Sequence, residues 1–390
     1  MLHQPLRSND IRESNEKLVL NLIFQHGSIS QSQIVQHTGL KAPTVFRIFA
    51  KLEETGFIRQ CKDVRGPEES QEGERKGRRP SFYCVRAESG YAVGVDFSSL
   101  AVAVIVVDFG NRVIYKRSKD LAPGRDRDDI LQTIEAMISS AIEESRIDRE
   151  RLLGIGIAAP GVVDTVTGRV LHYGRIAGLS GYLIKDHYEA IFAVPVFVHN
   201  NASVIAASAY HYGAARDEAS LLAILVRSGV GGALVTHGDI FLNGTATAIE
   251  VGRTSIFPAS IEGVADDETA LENSVAEQPM LERLRTAYGV ESWEAVEGTL
   301  TVEEVAATLA EERLALASAI RNLHHIFHPE AVLLISRFPI LSDVLGNAAR
   351  AALPERRVIP MVYDPVQACY GATDIVFKQF FNLTQNARSR

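Results

Sequence analysis

The side chains in this sequence that are best suited to bind another molecule are basic groups near the N-terminus. Helical periodicity over residues 41–51 predicts one outward face, which carries Lys41, Ala42, Thr44, Phe46, Arg47 and Lys51. An arginine can bind a guanine edge through two hydrogen bonds, and a lysine can reach a phosphate. We therefore expect Arg47 to contact bases, Lys51 to contact the DNA backbone and Phe46 to contact a thymine methyl group.

Three predicted helices must position that face. Residues 15–24 form the first helix, and Ser30 with Gln33 makes a capping box that begins the second. The second helix ends near Gly39, and the third spans residues 42–55. Two helices joined by a tight turn are typical of a helix-turn-helix that reads DNA. A helical hairpin in a protein-binding module is the alternative.

A predicted hairpin follows the third helix. Residues 57–60 and 81–85 read as antiparallel strands around a long polar loop. The tip of the loop carries Gly77, Arg78, Arg79 and Pro80. An extended basic segment of this kind fits the narrow minor groove, which predicts the wing of a winged helix-turn-helix. Four glutamates in the same loop leave open that it is only a solvated charged segment.

The distribution of charge agrees with a DNA-binding end. The chain has 390 residues and a net charge of −8, but residues 1–90 carry 14 Lys/Arg against 11 Asp/Glu, a net charge of +3. A basic head on an acidic body presents one end to DNA. The sequence shows no apolar run of membrane-spanning length and no signal peptide, so we expect a cytoplasmic protein without membrane contact.

The remaining three hundred residues predict an α/β body. Strands at 91–95, 101–108 and 112–116 precede a helix at 127–145, after which strands and helices alternate. Cys61, Cys84 and Cys369 fit neither a disulfide framework nor a zinc site. His324 and His328 share a helix face without an evident third ligand, so we expect no metal there.

Several motifs along the chain resemble the ROK family of repressors, open reading frames and sugar kinases in type and order. They are Gly77-Arg78-Arg79-Pro80, Ala159-Pro160-Gly161, Asn200-Asn201, Gly229-Val230-Gly231-Gly232 and Glu250-Val251-Gly252. The resemblance implies an actin-like (ribonuclease H-like), two-lobed sugar-kinase fold behind the winged helix-turn-helix, and a homodimer or tetramer. It implies a head at residues 1–88 with a wing and linker at 61–88, and a ROK domain at 89–390. Within that domain we expect lobe 1 at 89–199 plus 365–385, and lobe 2 at 200–364.

The resemblance also implies a binding cleft. Asn200, Glu250 and Glu272 match family positions that bind sugar hydroxyls, and Asn201 replaces the aspartate that acts as general base. An amide can bind a hydroxyl but cannot accept its proton. Arg253 replaces a zinc-binding histidine, and it either binds an anionic effector such as a sugar phosphate or forms an internal ion pair with Glu250 or Glu272.

Other family features for catalysis are missing. Residues 96–100 lack the two glycines of the family's phosphate-binding turn, residues 335–337 lack a later glycine pair, and residues 263–271 contain no zinc-binding cysteine. We therefore expect no enzyme activity, no cofactor and no metal.

The sequence predicts a DNA-binding transcriptional regulator of carbohydrate genes, a repressor controlled by a sugar or sugar phosphate in a catalytically inactive cleft. The resemblance is greatest to the family's xylose-, N-acetylglucosamine- and glucose-responsive repressors. Two alternatives stay open. One is a bifunctional sugar kinase with a DNA-binding head, and the other is a regulator controlled by a protein partner.

Overall fold

The computed structural model describes residues 8–61, 81–216, 218–247, 249–255 and 270–382. The N-terminal part, called the head here, contains three helices and a three-stranded sheet of order β1-β3-β2. Its elements are α1 (Ser8–His26), β1 (Ile29–Ser30), α2 (Gln31–Thr38), α3 (Ala42–Glu54), β2 (Ile58–Gln60) and β3 (Phe82–Val85). The predicted wing tip, Gly77 to Pro80, lies outside the described residues.

Local signals set the helix ends of the head. The Ser30 hydroxyl accepts from the Gln33 backbone, and the Gln33 side chain accepts from the Ser30 backbone, which confirms the predicted capping box. Gly39 ends α2 at φ 67°, a left-handed conformation that favours glycine. The first helix is longer than predicted, because α1 begins at Ser8, before the apolar pattern that marked residues 15–24.

Lobe 1 is built on a five-stranded sheet of order β10-β7-β4-β5-β6. Its elements are β4 (Tyr91–Phe97), β5 (Ala101–Asp108), β6 (Val113–Asp120), α4 (Arg127–Glu144), β7 (Leu152–Ala159), β8 (Val162–Asp164), β9 (Arg169–His172), α5 (Ile184–Phe192) and β10 (Val196–Asn200). β6 extends beyond the predicted residues 112–116, since it pairs antiparallel with β5 along its length. The strands β4, β7 and β10 run parallel, so their carboxyl ends meet at one edge.

Lobe 2 is built on a second sheet, of order β13-β12-β11-β15-β16. Helix α6 (Asn201–Tyr212) leads into it from lobe 1. Its further elements are β11 (Ser220–Val226), β12 (Val230–Thr236), β13 (Asp239–Ile240), β14 (Ala246–Thr247), α7 (Glu272–Val275), α8 (Glu277–Tyr288), α9 (Trp293–Thr299), α10 (Val302–Thr308), α11 (Ala310–Phe327), β15 (Ala331–Ser336), α12 (Pro339–Ala352) and β16 (Arg357–Val362). Strand β14 pairs with β8 of lobe 1 in a small separate sheet.

The last helix, α13 (Pro365–Phe381), returns from lobe 2 and packs on the sheet of lobe 1. A Cβ atom at Gly94 would overlap the carbonyl oxygen of Cys369, and one at Gly156 would overlap that of Ala372. These two glycines therefore let the helix backbone approach the strands closely. The same helix extends to the head.

Six phenylalanines join the head to the body, and we call them the aromatic cluster: Phe24, Phe57, Phe109, Phe377, Phe380 and Phe381. The ring centroids of Phe24 and Phe377 are 5.2 Å apart, and those of Phe109 and Phe380 are 5.8 Å apart. Phe109 is fully buried. Such contacts bury large apolar areas, so the head packs directly on lobe 1 and α13. Among the described residues, no helix is both long and apolar enough to cross a bilayer.

Candidate functional site

A cavity of about 360 Å³ lies between the two lobes. Lobe 1 contributes the turn after β7 and the residues after β9, while lobe 2 contributes the turn between β11 and β12 and the residues around Glu250 and Glu272. All five side chains predicted to bind an effector line this cavity: Asn200, Asn201, Glu250, Arg253 and Glu272. The fold thus brings together residues that the sequence scatters.

The two asparagines stand at the end of β10 and the start of α6. The Asn200 side-chain oxygen caps α6 by accepting from the Ser203 backbone at 3.2 Å, and its nitrogen donates to the Gly161 carbonyl at 2.7 Å. Gly161 has φ 81°, and a Cβ there would overlap the His172 carbonyl. The Asn201 side-chain oxygen accepts from the Ala202 backbone at 2.9 Å. Asn200 is thereby held in place largely by the protein itself.

The two glutamates each face an arginine across the cavity wall. Arg253 lies 3.8 Å from Glu250, which matches the internal ion-pair interpretation of Arg253. Glu272 pairs instead with Arg175 at 3.6 Å, and it also accepts from the Val230 backbone at 3.3 Å. Both ion pairs are longer than a good charge-assisted hydrogen bond and both are partly exposed, so a polar ligand can compete for these groups.

A third arginine of the cavity, Arg227, is buried and spans the lobes. Its guanidinium lies 3.4 Å from Asp96 of β4 and stacks at 4.2 Å over the ring of Tyr363. The Tyr363 hydroxyl donates to the same Asp96 oxygen. Burial raises the pKa of Asp96, while Arg227 and the Tyr363 hydroxyl oppose that rise. Residues 96–100, which by resemblance correspond to the family's phosphate-binding turn, thus begin with a carboxylate that already pairs with an arginine.

Behind Arg227 lies a second buried carboxylate. Glu277 begins α8, and its side chain lies 3.6 Å from Arg337. Burial raises the pKa of Glu277 to about 7, although Arg337 and Arg227 act in the opposite direction. This group therefore titrates near neutral pH.

Sequence reasoning missed Arg175, Arg227 and Tyr363. Arg227 carried a weak signal, since a charged residue directly follows the apolar strand β11 and precedes the glycine-rich turn. Arg175 lies in a loop and Tyr363 directly follows β16, both without any recognisable motif. The partners of these three residues are far away in sequence, so no local pattern could have identified their contacts.

The outward face of α3 forms a second candidate surface. Phe46 is 65% exposed, and Lys41, Ala42 and Arg47 are exposed as well, while Thr44 is half-buried. The predicted core positions of the helix, Val45, Ile48, Phe49 and Leu52, are buried. Lys51, for which the sequence predicts a contact to the DNA backbone, pairs within the protein with Glu16 of α1 at 2.5 Å. The DNA contacts assigned to these residues remain predictions.

The histidines at the carboxyl end of α11 lie close together. The rings of His324 and His328 are 5.7 Å apart, but no group of three or more histidine, cysteine or acidic side chains with suitable geometry occurs within the described part of the chain. His328 ends the helix in a left-handed conformation, and His324 is buried. His328 thus serves as the C-cap of the helix, and His324 packs in the protein interior.

Comparison with known families divides the chain as the fold does. The sequence profile of the ROK family matches residues 92–356, and that of the MarR family matches residues 13–65. The putative xylose repressor of Caldicellulosiruptor sp. strain Rt8B.4 is 26% identical over 367 residues, which span 90% of this chain and 89% of that protein. The DNA-binding transcriptional dual regulator NagC of Escherichia coli K12 is 24% identical over 71% of this chain and 67% of its own.

Solved structures show the same architecture. A ROK family transcriptional regulator, a homolog of the E. coli MLC protein, superposes with a TM-score of 0.74 at 18% identity and covers 95% of this chain and 97% of its own. The ROK family glucokinase of Streptomyces griseus, solved with glucose and AMPPNP, superposes with a TM-score of 0.61 at 21% identity, over 73% of this chain and 99% of its own. The predicted fold class is confirmed.

Proposed function

This chain belongs to the ROK family, and from that premise we propose that it is a sugar-responsive, DNA-binding transcriptional repressor of carbohydrate genes. The observation that carries the proposal is the combination of an exposed basic recognition helix with a polar cleft in which the amide Asn201 takes the place of the general base that phosphoryl transfer needs. The two relatives named above are a putative xylose repressor and a transcriptional dual regulator.

The head supplies the DNA contacts in this proposal. α3 enters the major groove with Arg47 toward a base edge and Lys41 toward the backbone, and the wing tip reaches the minor groove through Arg78 and Arg79. A regulator of this kind works in the cytoplasm, and we propose a homodimer or tetramer that binds two half-sites. The six-phenylalanine aromatic cluster favours a head held firmly on the body.

The cleft supplies the effector site. A cavity of about 360 Å³ is large enough for a monosaccharide, and its asparagine, glutamate and arginine side chains offer both donors and acceptors. Substitution of Arg253 distinguishes two classes of effector, anionic and neutral. If the effector is anionic, Arg253→Ala weakens its binding at least about ten-fold in isothermal titration calorimetry. Equal affinities for the variant and the wild type favour a neutral sugar and the internal pair with Glu250.

Catalysis is absent in this proposal for two physical reasons. Asn201 cannot take a proton from a sugar hydroxyl, which typically lowers the rate by about 10²–10⁴. Asp96, which begins the predicted phosphate turn, is already paired with the buried Arg227. The segment 96–100 also lacks the two glycines that would let backbone N–H groups approach a phosphate.

The experiment that tests the function starts from the full chain. Duplexes selected from a random pool give its operator, and gel shifts with D-xylose, D-glucose, N-acetylglucosamine and their phosphates identify the effector. We expect one duplex to bind in the nanomolar range and one sugar to change that affinity. Failure to enrich any duplex contradicts the proposal.

A bifunctional kinase is the second candidate, because glucokinases share the fold. A coupled assay of ADP release over the same sugars separates it from the repressor. We expect no turnover by the wild type, and slight activity at most for Asn201→Asp. Turnover at ordinary enzyme rates by the wild type contradicts a purely regulatory role.

Control by a protein partner is favoured if no sugar raises the melting temperature.

A further inference from the structure

Three residues form a buried contact between the lobes, and we call them the hinge triad: Asp96, Arg227 and Tyr363. Asp96 belongs to the sheet of lobe 1, while Arg227 and Tyr363 directly follow strands of lobe 2. The side chains of Asp96 and Arg227 are 2% and 8% exposed. Two opposite charges that are buried away from water stabilise each other. Separating the lobes at this point would leave each charge without its partner and would raise the free energy. The triad therefore favours one relative position of the lobes.

The triad lies where the chain crosses between the lobes. Tyr363 follows β16, and its backbone nitrogen donates to the Ser336 carbonyl at the end of β15 at 2.7 Å. Asp364, the next residue, caps α13 by accepting from the Val366 backbone at 2.9 Å. The position of Tyr363 thus sets where α13 begins.

Helix α13 connects this hinge to the head. Its middle rests on lobe 1 at the close contacts of Cys369 with Gly94 and of Ala372 with Gly156. Its last turn places Phe377, Phe380 and Phe381 in the aromatic cluster that holds the head. At a rise of 1.5 Å per residue, the hinge triad lies about 10–13 Å from those contacts in one direction along the helix. The aromatic cluster lies about as far from them in the other direction. A tilt of the helix about its middle would move both ends.

A ligand in the cleft can act on the triad directly, because Arg227 also lines the cavity. A polar ligand that attracts the guanidinium competes with Asp96 and Tyr363 for it. If loss of the triad contacts changes the relative position of the lobes, such a ligand binds the two positions with different affinity, which is the condition for coupling between two sites.

From these contacts we propose that the hinge triad couples the effector cleft to the DNA-binding head, with α13 as the lever between them. This inference rests on the proposed function, since it describes how the cleft controls the head. It assigns Asp96, Arg227 and Tyr363 as positioning residues, which act on DNA binding without touching DNA.

Hydrogen exchange of the full chain, measured by mass spectrometry without any ligand, tests the coupling. Tyr363→Phe removes the hydroxyl that binds Asp96 and keeps the ring beneath Arg227. Tyr188→Phe is the matched control, because it removes a buried hydroxyl hydrogen bond, to the Leu131 carbonyl, within lobe 1 alone. We expect Tyr363→Phe to speed exchange at residues 18–24 and 374–381 at least about five-fold. The control should leave these segments unchanged.

Two results would overturn the coupling. One is faster exchange confined to the surroundings of the triad, and the other is a uniform increase over β11 and β15 that indicates general destabilisation. Affinity for the selected duplex gives an independent measurement, with a change of at least about five-fold expected for Tyr363→Phe alone. If the wild type binds no duplex, the proposed function fails, while the exchange data still decide whether the hinge communicates with the head.

Discussion

The outer face of α3 and the cleft between the lobes both carry arginines, but the two regions use them in opposite ways. Arg47 is exposed, and no ion pair of Arg47 occurs within the described ranges. In the cleft, Arg175, Arg227 and Arg253 each face a carboxylate of the protein. The helix face is left open to a partner that brings its own negative charge, as DNA does.

This difference teaches how each region can respond. Arg47 on the helix face can bind a partner without first giving up an ion pair with another described residue. A side chain in the cleft can bind a ligand only by giving up or sharing an internal partner. Ligand binding in the cleft therefore changes contacts within the protein, whereas the helix face is suited to recognise a fixed surface.

The largest expected effect comes from the aromatic cluster that joins the two regions. Phe109→Ala removes a fully buried ring that contacts both the head and α13. We expect a loss of about 3–5 kcal/mol in the free energy of unfolding, measured by urea denaturation followed by circular dichroism. Phe241→Ala, at a 46% exposed position, is the control. A loss no larger than that of the control would show that the head is not held by this cluster.

The second prediction concerns the open arginine. Arg47→Ala should weaken binding to the selected duplex about 10–100-fold in gel shifts, as expected for loss of a bidentate base contact. Lys51→Ala is the matched variant on the same helix. We expect it to weaken binding about three-fold or less, because Lys51 already pairs with Glu16. Equal losses would contradict the contrast between open and paired cations.

The third prediction concerns a paired carboxylate of the cleft. Glu272→Gln keeps the shape of the side chain but weakens its bonds to Arg175 and to the Val230 backbone. We expect the effector found by the gel-shift screen to bind about ten-fold more weakly in calorimetry. Glu282→Gln, on the surface of α8, should bind it normally. An unchanged affinity for Glu272→Gln would remove Glu272 from the ligand site.

The smallest expected effect is a dependence of stability on pH. In the folded state the pKa of Glu277 is about 7, above its ordinary value of 4.5, so the folded protein holds this proton more tightly than the unfolded chain does. Its stabilising contribution is complete below pH 4.5 and is lost as pH rises through 7. Glu277→Gln should therefore lose less stability than the wild type between pH 5 and pH 8.

Thermal unfolding at several pH values measures this difference, which we expect to be on the order of a few °C. Glu282→Gln again serves as the control, since its carboxylate is half exposed. Parallel pH curves for wild type and Glu277→Gln would show that the buried carboxylate does not titrate in this range.

The sequence by itself determined the helices of the head and the amide at position 201. Ser30 with Gln33, Gly39 and the apolar spacing of α3 are local signals, and periodicity alone says which side of a helix faces outward. Asn201 is equally readable, because an amide lacks a basic oxygen in any fold.

Only the tertiary structure decided which charges meet. Arg227 binds Asp96 across 131 residues, and Tyr363 binds the same carboxylate across 267. Likewise, the pairing of Lys51 with Glu16 joins two helices, and the aromatic cluster joins the head to the last helix. Periodicity records whether a residue is buried but not its partner, which depends on how strands and helices far apart in the chain are brought together.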